Sequence, residues 1–86
     1  MKKTRNVEMT TAYLKGANRI ERIRLLTTSN LTTREARMLV LRYVDGKTLK
    51  ESAAAMGMEY EAFCKAQRRA LDRLYMYLFI LTPGAY

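Results

Sequence analysis

The sequence is poor in the residue types that catalysis and metal binding require. Among its 86 residues there is no histidine and only one cysteine, Cys64. One cysteine cannot close a disulfide within the chain, and without histidine no cysteine–histidine zinc site can form. Glycine-rich phosphate loops, a serine–histidine–aspartate set and convincingly spaced carboxylate pairs are also missing. We therefore expect no enzyme, no metal and no other cofactor, and we interpret Cys64 as a small, semi-buried helical residue.

Long apolar runs are missing as well. The longest apolar run near the C-terminus covers residues 75–81, whereas a membrane-spanning helix needs about 20 apolar residues. No signal-peptide pattern is visible near the N-terminus. Because a single unpaired cysteine fits a reducing compartment, we expect a cytoplasmic protein without a membrane partner.

Basic residues are abundant by contrast. Lysine and arginine number 16 against eight acidic residues, which leaves a formal charge of +8. Such an excess favours a polyanionic partner, either a nucleic acid or an anionic membrane surface. Hydrophobic residues make up 49% of the chain, so it is not a disordered polymer, and its length suits one small domain with a thin core.

The most informative stretch covers residues 48–74. Thr48 and Glu51 form a Thr-x-x-Glu capping box, which predicts a helix beginning near residue 49. Gly57 predicts its end, because glycine adopts a left-handed conformation without a Cβ clash. A second helix is expected to begin near Glu59.

Residue sizes in this stretch indicate how the two helices cross. Ala53 is small where a close crossing is needed, Gly57 follows in the turn, and Phe63 fills the wedge between the helices. This spacing is typical of a helix-turn-helix, and the alternative is an ordinary helical hairpin with a glycine cap.

The segments before this stretch are predicted to support it. Residues 1–7 form a basic, flexible arm, interpreted as either a solvated tail or an arm that reaches a phosphate or the minor groove. Residues 8–30 form one helix over about 8–26 and a polar linker. Residues 31–81 hold the helix-turn-helix domain, whose first helix starts at a second capping box, Thr32 and Glu35. In the N-terminal helix Tyr13, Ala17, Ile20 and Ile23 are predicted to face inward, and Arg19, Arg22 and Arg24 to form either a solvated or a phosphate-contacting face.

The last helix is predicted to continue to residue 81, before a tail at residues 82–86 that contains the sequence Thr-Pro-Gly. Its far end is apolar on every side. Two interpretations remain open: it packs against the N-terminal helix and closes the core, or it forms a homodimer or partner interface together with that helix. The fold class is thus all-α, a small bundle of about four helices with a long C-terminal recognition helix. The residues assigned to this apolar end are Tyr75, Tyr77, Leu78 and Leu81.

Residues 31–74 resemble the fourth conserved region of bacterial sigma factors, the domain that reads the upstream promoter element. The resemblance covers LTTREARMLVLRYVDGKTLKESAAAMG and the later RRALDRL. It implies a helix-turn-helix that binds double-stranded DNA and docks on RNA polymerase. Nothing in the chain resembles the other sigma regions, so we expect a stand-alone sigma-like regulator of the kind found in phages and mobile elements.

The start of the recognition helix departs from the sigma pattern of Ser/Thr-Arg-Glu-x-Val-x-Gln. Glu59 stands in the small-hydroxyl position, Tyr60 replaces arginine, Glu61 is retained and Lys65 replaces glutamine. Two base-reading side chains therefore differ, which leaves the target DNA sequence open. Glutamate is also a weaker N-cap than serine.

Recognition helices present their N-terminal side chains to base edges in the major groove. Lys65 suits guanine O6 or N7, and Glu61 suits a cytosine amino group. For each charged residue the alternative is a solvated face, or for Glu61 an anion favoured by the helix N-terminus. The predicted base-reading residues are Tyr60, Glu61, Cys64 and Lys65, and the predicted phosphate contacts are Lys47, Thr48, Arg68, Arg69 and Arg73.

Three functions follow from the sequence. The first is a sequence-specific DNA-binding transcription regulator. The second is a protein-binding module of the same fold, which docks on RNA polymerase or inhibits a host nucleic-acid enzyme. The third, a basic amphipathic membrane binder, is disfavoured because a polar break follows the N-terminal helix and a second well-formed motif lies beyond it.

Overall fold

Capping boxes divide the chain into helices. In each box the N-cap oxygen accepts from the N3 backbone N–H, and the N3 glutamate accepts from the N-cap N–H. The two predicted boxes, at Thr32 and Thr48, are present. The computed structural model describes residues 5–81, and within them the predicted all-α fold is confirmed, without any strand. The helices are α1 (Arg5–Gly16), α2 (Arg19–Thr28), α3 (Thr33–Tyr43), α4 (Leu49–Ala55) and α5 (Tyr60–Tyr75), which continues as a π-helical segment, Met76–Leu81.

The prediction of one helix over residues 8–26 is wrong. Gly16 ends α1, and a third capping box starts α2: the Asn18 side chain accepts from Glu21 N–H at 2.8 Å, and Asn18 N–H donates back at 3.0 Å. Glycine is a poor helix former and asparagine a strong N-cap, so the chain breaks between them. The described part of the bundle therefore has five α-helices rather than about four.

The structure describes only the end of the predicted arm and none of the predicted tail. Helix α1 begins at Arg5, and Val7 is buried in the core, so residues 5–7 do not belong to an arm. The helix also begins before the predicted residue 8, and Thr10 is buried within it, where its hydroxyl donates to the Asn6 carbonyl at 2.8 Å. Residues 1–4 and the predicted tail at residues 82–86 lie outside the described residues.

The predicted inward stripe of the N-terminal segment is also wrong. Tyr13 is 49% exposed and Ile20 69% exposed, and Ile23 is exposed as well. A 3.6-residue period counted across a helix break loses its phase, because the second helix starts with a new orientation. The side chains that this segment buries are Val7, Thr10, Leu14 and Leu26.

Arginines of α2 connect the N-terminal helix pair, α1 and α2, to the rest of the bundle through hydrogen bonds. Arg22 donates to the carbonyls of Ala17 (2.9 Å) and Lys15 (3.1 Å) at the end of α1, and to Tyr43 (2.8 Å) at the end of α3. Arg19 donates to the Val44 carbonyl at 3.1 Å. Carbonyls at a helix C-terminus lack intrahelical partners and carry partial negative charge. A guanidinium there supplies hydrogen-bond donors and a positive charge that is attracted to the carbonyls. The sequence predicted either a solvated or a phosphate-contacting face for these arginines. Arg22 has neither role, because its guanidinium is hydrogen-bonded within the fold.

Two apolar clusters make up the described core, and α3 belongs to both. Its Met38 packs with Ala53 and Phe63 of the helix-turn-helix, whereas its Leu39 packs into a larger cluster between α1, α2 and α5. Helix α3 therefore packs behind the helix-turn-helix and connects it to the rest of the core. The larger cluster consists of Val7, Leu14, Leu26, Leu39, Ala70, Leu71 and Leu74.

The apolar end of the last helix confirms in part the interpretation that it closes the core, whereas the dimer or partner interface stays a prediction. Tyr77 and Leu78 pack against the larger cluster and help close the core. Met76 and Ile80 are exposed, and Tyr75 contacts Phe79 with ring centroids 5.1 Å apart. Leu81 ends the segment, and only its backbone is described. One side of this helix end is thus core, and another is exposed apolar surface.

Candidate nucleic-acid interface

The turn between α4 and α5 is a Schellman motif. Gly57 has φ +67°, its N–H donates to the Ala54 carbonyl at 3.0 Å, and Met58 N–H donates to the Ala53 carbonyl at 2.9 Å. Both bonds require the left-handed residue that the sequence assigned to Gly57. They end α4 sharply and set the direction in which α5 leaves the turn.

The crossing of α4 and α5 is filled by the residues that the motif assigned to it. Phe63 is 0% exposed and Ala53 only 3% exposed, and both pack with Met38 of α3. Leu49, Met56, Met58 and Ala66 surround them partly buried. Burial of Phe63 on one side of α5 directs the residues on its opposite side to the surface, as helical geometry requires.

The outward face of α5 presents one continuous surface. Glu61, Lys65 and Arg68 recur at intervals of four and three residues and are exposed, so they share one side of the helix. A shallow groove of about 550 Å³ runs along this side. Its lining contains all four predicted base-reading residues and two predicted phosphate contacts: Tyr60, Glu61, Cys64, Lys65, Arg68 and Arg69.

Tyr60 and Cys64 form a polar pair at the start of this face. The Cys64 side chain interacts with the Tyr60 phenol one helical turn away and raises the pKa of that phenol above its ordinary value. The neutral phenol carries a hydroxyl that can donate or accept a hydrogen bond. Glu59 precedes it as the N-cap and makes no side-chain capping bond, in keeping with the weak cap expected from its residue type.

The predicted phosphate contacts fall into two groups. Lys47 and Thr48 are exposed before α4, the helix that crosses the DNA backbone in this motif. The Thr48 hydroxyl accepts from Glu51 N–H at 3.1 Å and also hydrogen-bonds the Glu51 carboxylate, so its contact with a phosphate stays a prediction. Arg73 forms an ion pair with Glu35 of α3 at 3.4 Å, and its role as a phosphate contact stays a prediction.

Arg42 supports the interface, and sequence reasoning missed it. Its Nε donates to Gln67 Oε1 of α5 at 3.1 Å, and its Nη1 donates to the Lys47 carbonyl at 2.7 Å. One side chain thus fixes the loop before α4 to the middle of the recognition helix. Its guanidinium also lies over the Tyr43 ring, 5.7 Å from the centroid. No local pattern marks Arg42, because its partners lie in other elements.

The family profile described as "Sigma-70, region 4" matches residues 29–75, more than half of the chain. The chain belongs to this family. The match includes α3, α4 and α5 and agrees within two residues with the resemblance found by inspection. It carries the helix-turn-helix DNA-binding fold, and α1 and α2 both lie before it. Comparisons with curated proteins and with solved structures give no match.

Among residues 5–81 no group of three or more cysteine, histidine or acidic side chains is placed to hold a metal ion. None of the helices in that range combines the length and apolarity needed to cross a membrane.

Proposed function

We propose that this protein is a sequence-specific double-stranded DNA-binding regulator of transcription, which reads the major groove with α5. The observation that carries the proposal is the single outward face of α5, where Glu61, Lys65 and Arg68 lie side by side on a helix held by a motif of the sigma-70 region 4 family. A binding role, rather than catalysis, also accords with the residue types available. Transcription regulation would place the protein in the cytoplasm.

The positions of the charged residues along α5 suit some of them to base contacts and others to phosphate contacts. Lys65 and Glu61 lie near the helix N-terminus, the end that meets base edges in helix-turn-helix complexes. Lys65 donates to guanine and Glu61 accepts from cytosine in this arrangement. Arg68 and Arg69 lie a turn further along and suit phosphates, together with Lys47 and Thr48.

The first experiment is selection from a randomised duplex pool at low and physiological salt. We expect an enriched motif that persists at physiological salt, since base contacts add affinity that counterion release does not supply. Salt-sensitive binding without any motif would contradict sequence-specific reading. A palindromic motif would additionally indicate a dimer, because half-sites mirror the protein's two-fold symmetry.

Two variants separate reading from general attraction. Lys65→Ala is expected to weaken the selected duplex by about 1–3 kcal/mol more than random duplex, as loss of a good base contact does. Arg69→Ala is expected to weaken both duplexes alike and to reduce the salt slope by about 0.9. Arg24 is an exposed arginine on α2, and Arg24→Ala is the control for the loss of one charge. Equal losses on both duplexes for Lys65→Ala would refute its base-reading role.

A second candidate function is docking on RNA polymerase or another protein. It is favoured by apolar side chains at the surface, namely Met76 and Ile80 at the end of the last helix, and Tyr13 against Phe79 at 6.1 Å between ring centroids. Ile80→Glu is expected to weaken binding to purified RNA polymerase and to leave DNA affinity unchanged. The opposite pattern would remove this surface from consideration. Sedimentation of the same variant tests whether the surface forms a homodimer.

A further inference from the structure

We propose that α1, which lies before the segment matched by the family, adds a phosphate-binding cleft to the DNA interface, with Lys15 as its outer cation. This inference rests on the proposed DNA-binding function and specifies where a duplex backbone would lie. The cleft has a volume of about 280 Å³ and lies between α1, α3 and α5. The polar side chains that line it include Thr11, Lys15, Arg42, Cys64, Gln67 and Arg68.

Charge in the cleft is one-sided. Lys15, Arg42 and Arg68 line it, and none of its lining residues in the described range is acidic. Within residues 5–81 the Arg42 guanidinium hydrogen-bonds only neutral oxygens, those of Gln67 and the Lys47 carbonyl, so these bonds do not neutralise its charge. Three cations around one recess create a positive potential that an anion would lower.

The cleft is continuous with the reading surface. Cys64 and Arg68 line both the groove along the outward face of α5 and this recess. Lys65, adjacent to Cys64 in the chain, lies in the groove but not in the recess. The recess therefore flanks the middle of the recognition helix on one side.

Groove dimensions bring a DNA backbone to this flank. A helix with its side chains is about 10–12 Å across, and the major groove is about 12 Å wide. A recognition helix seated in the groove thus has phosphates along both flanks. On the flank where α1 lies, a phosphate would meet Arg68 first and then Lys15, with the Thr11 hydroxyl as a further donor.

The sequence of α1 agrees with this placement. Val7, Thr11 and Lys15 follow one another at intervals of four residues, and all three line the cleft, as expected for one helix face. Val7 is buried in the core and anchors the face, whereas Lys15 is exposed at the end of α1 and makes no ion pair with any described carboxylate. The Lys15 carbonyl is bound by Arg22 at 3.1 Å, which fixes the backbone beneath the side chain.

The test uses the full chain with Lys15→Gln, the charge-keeping variant Lys15→Arg, and Arg24→Gln as the matched loss of one charge outside the cleft. Affinity for selected and random duplexes is measured over a salt series. We expect Lys15→Gln to reduce the salt slope by about 0.9, the value for one phosphate contact, equally on both duplexes. Lys15→Arg should retain the slope and Arg24→Gln should change it little. Equal slopes for Lys15→Gln and Arg24→Gln would overturn the proposal.

Replacing single phosphates with neutral methylphosphonates sharpens the test. One substitution, beside the base pairs at which Lys65→Ala relaxes specificity, should weaken the wild type and have no further effect on Lys15→Gln. If every substitution weakens both proteins equally, Lys15 contacts no particular phosphate and the proposal fails.

Two outcomes separate this proposal from its premise. Salt-dependent duplex binding that needs Lys15 but shows no preferred motif would uphold the cleft and remove sequence-specific reading. Absence of any duplex binding by the wild type would overturn both. Titration with inorganic pyrophosphate covers the other source of phosphate: thermal stabilisation that Lys15→Gln abolishes, together with an unchanged DNA salt slope, would assign the cleft to a free anion instead.

Discussion

The helix-turn-helix and the N-terminal helix pair differ in how far apart their determinants lie in the sequence. Thr48 starts α4, Gly57 ends it and Phe63 fills the crossing, so a single short stretch specifies the motif. The N-terminal pair depends instead on Arg22, which reaches a carbonyl 21 residues away, and on Leu14, which packs against α5. Local signals define one half of the molecule, and distant contacts define the other.

The largest expected effect tests the corrected packing of α1. Leu14→Ala should lower the free energy of unfolding by about 2–5 kcal/mol, because Leu14 is fully buried and its truncation leaves a cavity. Tyr13→Ala, at the neighbouring position that the periodic pattern predicted to be inward, should change it by about 1 kcal/mol or less, since Tyr13 makes one edge contact with Phe79. Urea titration measures both losses. A larger loss for Tyr13→Ala than for Leu14→Ala would mean that Tyr13, and not Leu14, faces the core.

Arg22→Ala tests the distant attachment itself. Loss of a guanidinium that bonds three carbonyls should lower the free energy of unfolding by about 1.5–3 kcal/mol. Arg24→Ala is the control on the same helix, because Arg24 is exposed. Hydrogen exchange should show faster opening at the ends of α1 and α3 in Arg22→Ala only. Equal stability of the two variants would mean that apolar packing alone holds the pair.

Gly57→Ala tests the local determinant. A left-handed conformation costs a residue with a Cβ about 1–2 kcal/mol, and the strain applies even though open space surrounds the added carbon. Gly16→Ala is the matched control, since Gly16 lies in α1 without positive φ and also faces open space. Thermal unfolding should show a loss for Gly57→Ala and no loss for Gly16→Ala. Identical transitions would indicate that the turn does not depend on Gly57.

The smallest effect concerns pH. Hydrogen bonds from the backbone and side chain of Thr48 lower the pKa of Glu51 below its ordinary value of 4.5. A lowered folded pKa means stabilisation that is present above the unfolded value and lost as the pH falls through the folded value. Glu51→Gln keeps an acceptor in the capping box but does not titrate, so its stability should fall less steeply below about pH 4.5. Parallel curves for the variant and wild type would contradict this contribution.

Much of the interface was predictable because its signals are periodic or local. The outward positions of α5 follow from Phe63 by helical geometry, and Tyr60, Glu61, Cys64 and Lys65 do share one groove. Arg73 shows where this reasoning stops: it pairs with Glu35 of α3, and no pattern within α5 predicts that partner. Arg42 was missed for the same reason.

The sequence by itself determined the all-α class, the capping boxes at Thr32 and Thr48, and the helix-turn-helix, because each depends on residues within a few turns of one another. Only the tertiary structure decided how α1 and α2 attach, whereas the break between them follows from the local signals at Gly16 and Asn18. The Asn18 cap competes with a helical pattern that runs through it, and Arg22 finds its partners in elements that come together on folding. The cleft beside the recognition helix was likewise decided by the tertiary structure, because Lys15 and Arg68 line one recess only when α1 packs on α5.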